Sequence, residues 1–121
     1  MAEKIKLLYV DDEVANLNVF RIAFKRRYIV TTAENAEEGL KILEEEKFDV
    51  IISDHRMPGM TGVELLEKVG IDYPDMTRII ISEYVNDEII RSAIQAFGFD
   101  GSVGKPWEAD KLTALIEKGK S

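Results

Sequence analysis

Cysteine is absent from the 121 residues of this chain, which excludes disulfides, thiolate metal sites and cysteine nucleophiles. A single histidine, His55, leaves no His-rich metal site and no histidine-based catalytic set. Positive charge is scarce. Sixteen Lys and Arg against 23 Asp and Glu give a net charge of −7, the reverse of the basic footprint of a nucleic-acid-binding surface. The one basic cluster, Lys25-Arg26-Arg27, falls where a helix is expected to end, and cations there complement the helix dipole. No apolar run reaches membrane-spanning length, and residues 1–6 (MAEKIK) lack the hydrophobic stretch of a secretory signal. A cytoplasmic protein is expected, with no direct contact to nucleic acid or membrane. Neither GxxxxGKS/T nor GxGxxG occurs, so the usual nucleotide-binding loops are missing.

What is present is a regular alternation. Residues 5–10 (IKLLYV), the run Val50-Ile51-Ile52 ending on Ser53-Asp54, and residues 77–82 (TRIIIS) are compact apolar runs that read as strands buried on both faces. Residues 28–33 (YIVTTA) are rich in β-branched side chains and read as a further strand, and a weak one is expected near Gly101 to Gly104. Between them, Leu17, Phe20 and Phe24 recur at helical spacing over residues 14–27. Ala36, Leu40 and Leu43 follow the cap Asn35, and Glu44, Glu45 and Glu46 read as a solvated end. Thr61-Gly-Val-Glu64 is a capping box ahead of Val63, Leu66 and Val69. Asn86-Asp-Glu opens a helix carrying Ile90, Ala93, Ile94 and Phe97, and a last helix carries Leu112, Leu115 and Ile116.

Five strands alternating with five helices imply right-handed crossovers: a doubly wound (βα)5 α/β domain, with a five-stranded parallel sheet and helices on both faces. Short loops and the lack of a linker make residues 1–121 one domain, with no output domain in view. Every loop that follows a strand opens on one edge of the sheet. Those loops carry Asp11 and Asp12, Asp54, Ser82 and Lys105, which converge on one crevice if strands one and three are neighbours, as in the order 2-1-3-4-5. Carboxylates crowded there repel unless a cation sits among them. Oxygen donors without His or Cys select a hard ion such as Mg²⁺. Lys105 and the Ser82 hydroxyl then offer charge and a donor to an anion such as phosphate, and an Asp placed in line can act as its nucleophile.

The motifs YVDDE, SDHRMPGMTG, IIIS and GKPW, in that order, resemble those of the receiver domains of two-component response regulators, over essentially the whole chain. The resemblance implies that Asp54 is the phosphoacceptor, taking phosphate from a sensor histidine kinase or a phosphotransfer protein. It implies Mg²⁺ bound directly by Asp12, Asp54 and the backbone carbonyl of Arg56, with Asp11 acting mainly through water. Ser82 is to turn toward the phosphoryl group, and Lys105, before a cis Pro106, is to pair with it. Such a domain is a signalling module, at most catalysing its own phosphorylation and dephosphorylation. Phosphate biases the surface of helix four, strand five and helix five, which binds a downstream protein or output domain and is also where receivers often form homodimers.

Two residues depart from the family pattern. Ser102 stands where an aromatic switch residue is common, and Glu83 follows the switch Ser where Ala or Gly is usual. An ion pair between Glu83 and Arg56 across the pocket mouth is one expectation. The departures also raise an alternative: a degenerate receiver that acts as a phosphorylation-independent interaction module. His55 reads as an ordinary loop residue and Trp107 as core packing.

Overall fold

The computed structural model describes residues 4–83 and 87–118. Five strands and five helices alternate: β1 (Lys6–Val10), α1 (Val14–Phe24), β2 (Ile29–Ala33), α2 (Ala36–Glu45), β3 (Val50–Asp54), α3 (Gly62–Asp72), β4 (Thr77–Ser82), α4 (Glu88–Phe97), β5 (Gly101–Gly104) and α5 (Ala109–Lys118). All strands are parallel, in the order β2-β1-β3-β4-β5. This is the doubly wound flavodoxin-like arrangement expected from the alternation.

Side chains leave opposite faces of a strand in turn, which divides the core in two. Leu8, Val10, Ile51 and Ile80 face α2, α3 and α4, joined by Leu43, Leu65, Leu66, Val69, Ile90 and Ala93. Leu7, Tyr9, Val50, Ile52, Ile79, Ile81 and Val103 face α1 and α5, against Leu17, Phe20, Phe24, Leu112 and Ile116. Trp107 packs on this second side, with Phe20 edge-on at 5.6 Å and Phe24 at 5.5 Å.

Local signals account for most boundaries. The side chain of Asn35 accepts from the Glu38 backbone N–H, and Thr61 and Glu64 form a complete capping box. α4 starts at an Asp87 cap accepting from Ile89 N–H; the expected opener Asn86 lies outside the described residues. It ends at Gly98, whose φ of 71° is a left-handed conformation that glycine adopts without strain. Two helix readings shift. α1 stops at Phe24 rather than running to Arg27, and Phe97 is half exposed rather than part of the buried stripe of α4.

Candidate functional site

Parallel register assembles the acids. Pairing of Val10 with Ser53 brings Asp11 level with Asp54 across β1 and β3. Tyr9 and Ile52 face α1 and α5, so Asp11 and Asp54, each two residues further on, rise on that same side. Asp11 is fully buried, Asp54 is 4% exposed, and Asp12 is exposed beside them. One carboxylate oxygen from each of the three lies within 4.8 Å of the others. Lys105, just past β5, places Nζ 3.1 Å from Asp54 Oδ1 and 3.6 Å from Asp11 Oδ2. Backbone bonds carry the ladders one residue beyond the strands: Lys105 N–H donates to Ser82 O, His55 N–H to Ile81 O and Asp11 N–H to Ala33 O. The Lys105–Pro106 peptide is cis.

Charge at this edge is unbalanced. Burial, with the like charges of Asp11 and Asp12, outweighs the Lys105 ion pair and pushes the Asp54 carboxyl up to about 6. Burial would depress the Lys105 ammonium, but its bond to Asp54 and the charges of Asp54 and Asp11 prevail and raise it. Among the described residues, Lys105 is the cation within ion-pair reach of Asp11 and Asp54. An oxygen-only cluster of this size can hold a hard metal ion, whose charge would relieve the repulsion.

The buried acid is held before any ligand arrives. Asp11 Oδ2 accepts from the Tyr9 hydroxyl at 2.8 Å and from Asn16 Nδ2 at 3.2 Å, while Oδ1 accepts from Glu13 N–H at 3.0 Å. The backbone of Asp54 is held by close packing. A Cβ on Gly62 would lie 2.2 Å from the Asp54 carbonyl oxygen, so the first turn of α3 can rest there only as glycine.

The remaining expected residues spread outward. Ser82 is buried at the end of β4, next to β3. Glu83 is exposed and lines a cleft of about 450 Å³ with Glu13, Asn16, Lys105 and Trp107. Arg56, also exposed, lines a separate cleft with His55, Met57 and Thr61. Glu83 and Arg56, expected to pair across the pocket mouth, line different clefts. Ser102 is exposed on β5, away from the acids. Burial pushes the His55 imidazole below its ordinary value despite the nearby Asp87, which keeps it neutral near pH 7.

Sequence reading misses Tyr9 and Asn16 as partners of Asp11. Tyr9 passes for one more apolar strand residue, yet its place two residues before an acid puts its hydroxyl on that acid's side of the sheet.

The family model described as the response regulator receiver domain matches residues 7–117. The hydrogenase transcriptional regulatory protein HoxA of Cupriavidus necator is 36% identical over 93% of this chain, which spans only 23% of that protein. A probable chemotaxis protein CheY of Rhizobium etli is 32% identical, with 97% of this chain and 93% of that one covered. The response regulator TrrA of Thermotoga maritima, solved in complex with Mg²⁺ and BeF, superposes with a TM-score of 0.84 at 28% identity, covering 95% of this chain and 98% of that one. Among the described residues, no helix is long and apolar enough to cross a membrane.

Proposed function

The chain belongs to the response regulator receiver domain family, and from that premise we propose that Asp54 is its phosphoacceptor. Receiver domains are signalling domains rather than classical enzymes. The observation that carries the reading is the nearly buried Asp54 carboxylate, which shares a crevice with two further acids and with Lys105 at 3.1 Å.

In this reading an Asp54 oxygen attacks the phosphorus of a phosphohistidine on a sensor kinase or phosphotransfer protein. The O–P bond forms as the P–N bond breaks, and the imidazole leaves with its electron pair and takes a proton. Lys105 holds the Asp54 carboxylate beforehand and meets a phosphoryl oxygen afterwards. The Ser82 hydroxyl donates to the same group. Asp12, Asp54 and the Arg56 carbonyl, with Asp11 acting through water, would hold Mg²⁺, whose positive charge would let a dianionic group approach three acids. That role of Mg²⁺ is supported by the all-oxygen donor set here and by the Mg²⁺ complex of TrrA.

Residues 1–121 then act as one receiver unit. Phosphorylation shifts the surface of α4, β5 and α5 toward a downstream protein, an output domain or a second copy. The exposed Glu83 stands at the cleft beside Lys105, where its charge slows phosphodonors and modulates the approach of hydrolytic water.

The test is intact mass after incubation with Mg²⁺ and acetyl phosphate, beside an Asp54→Asn control. One phosphoryl adduct that requires Mg²⁺ and is absent from the control is expected. No adduct, with acetyl phosphate or with histidine kinases as donors, would sink the reading in favour of a phosphorylation-independent interaction module.

A further inference from the structure

We infer that Tyr9 is a positioning residue for phosphoryl transfer: its hydroxyl occupies Asp11 and so leaves Lys105 to lean on Asp54. The inference rests on the phosphoacceptor reading of Asp54 and deepens it. Lys105 has two carboxylates to choose from, and they differ in burial. Asp11 is the more deeply buried, and burial strengthens its attraction for a cation. Yet Nζ lies 3.1 Å from Asp54 and 3.6 Å from Asp11. The ammonium is at hydrogen-bond distance from the less buried acid.

The reason lies on the far side of Asp11. The oxygen that Lys105 faces, Oδ2, already accepts a 2.8 Å bond from the Tyr9 phenol and a 3.2 Å bond from the Asn16 amide. Two donors spread the charge of that oxygen and occupy its lone pairs. The third arrival, Lys105, is held off and takes Asp54 instead. The Tyr9 phenol is held in place. Its ring is fully buried and stacked on Phe20, with centroids 4.1 Å apart and planes 9° from parallel, so the hydroxyl is aimed along one direction.

Tyr9 thus sets how Lys105 is shared between an acid that stays an acid and the acid that receives the phosphoryl group. A phenylalanine at position 9 keeps the ring and the stack and deletes the hydroxyl, which donates to Asp11 and also meets the Trp107 indole. Oδ2 of Asp11 then attracts Lys105 away from Asp54.

The experiment compares Tyr9→Phe with the unsubstituted protein in two ways. The first is the rate of adduct formation from acetyl phosphate at saturating Mg²⁺, so that metal affinity does not enter. The second is a crystal structure of the metal-free variant. Adduct formation about tenfold slower is expected, the size of one lost bond to a charged group. In the crystal, Lys105 Nζ should close on Asp11 Oδ2 to about 2.8 Å, the distance of a charge-assisted bond, and move away from Asp54. A purely structural role for Tyr9 would not move Lys105. An unchanged rate, or a slower rate with Lys105 still on Asp54, would overturn the inference while leaving Asp54 as phosphoacceptor. An unsubstituted protein that forms no adduct would sink the phosphoacceptor reading, and the inference with it.

Discussion

Two half-buried cations, Lys105 and Arg78, lie at opposite ends of the sheet and are held in opposite ways. Lys105 is held by carboxylates, Asp54 at 3.1 Å and Asp11 at 3.6 Å. Arg78, near the start of β4, is held mainly by backbone carbonyls. Its Nη1 donates to Leu66 O in α3 at 2.9 Å, and its Nη2 donates to Phe97 O at 2.7 Å and Gly98 O at 3.3 Å at the end of α4. The guanidinium also lies 5.1 Å over the Phe99 ring. Carbonyls are neutral and fixed, and five fork-shaped donors suit them. Carboxylates carry charge that an arriving phosphoryl group or cation can take over. One cation is therefore an anchor and the other is exchangeable. α4 is pinned at its C-terminal end by Arg78, while its N-terminal end begins at the Asp87 cap.

The sharpest way to break this contrast is to remove the anchor. Arg78→Met strands three carbonyl acceptors, and an unfolding free energy lower by about 2 kcal/mol is expected in urea titrations. Adduct formation at Asp54 should hardly change. If it fell with stability, the two ends would not be independent. A second substitution tests the path the anchor takes. A Cβ on Gly70 would lie 2.2 Å from Arg78 Nη1, so Gly70→Ala is expected to cost about 1.5 kcal/mol. In the Arg78→Met background that cost should largely disappear, a coupling that a double-mutant cycle reads directly.

At the other end the sign reverses. Asp54→Asn should stabilise the metal-free protein at pH 7. Its carboxyl is raised from 3.8 to about 6, so the fold favours the protonated form. That contribution is present below pH 3.8 and lost as pH rises through about 6. The full gap corresponds to roughly 3 kcal/mol, and solvent at the sheet edge screens it to about 1 kcal/mol. Thermal melts of the two proteins should coincide near pH 4 and separate above pH 6. The smallest effect belongs to a surface ion pair. Lys6 and Glu46 lie 3.1 Å apart with both side chains partly in water, and Glu46→Gln should shift stability by less than about 0.5 kcal/mol. A larger loss would mean that exposed pairs matter here as much as the buried cations.

These differences mark what the chain shows to a reader of its sequence. β4, β5 and the capping box at Thr61 are legible because their signals are local: apolar runs, a glycine at each end of a weak strand, an acid three residues after a threonine. The convergence of Asp11, Asp12, Asp54 and Lys105 is legible one step later, once alternation fixes a parallel sheet with all its following loops at one edge. Bonds formed between distant elements are not. Arg78 reads as a polar interruption in a buried strand, and its partners in α3 and α4 are 12 to 20 residues away. The Glu83–Arg56 expectation, too, depends on contacts between loops and not on a local signal.

The strand order also sets a timetable. β1 pairs with both β2 and β3, so a chain emerging from its N-terminus can assemble β2-β1-β3, and with it Asp11, Asp12 and Asp54, once about half of its residues are out. Lys105 arrives only with the strand at the far edge. Until then the acids stand together without Lys105, and Asp11 has only its Tyr9, Asn16 and Glu13 donors among the described residues. The edge strand thus brings the cation that meets the acids following the first and third strands.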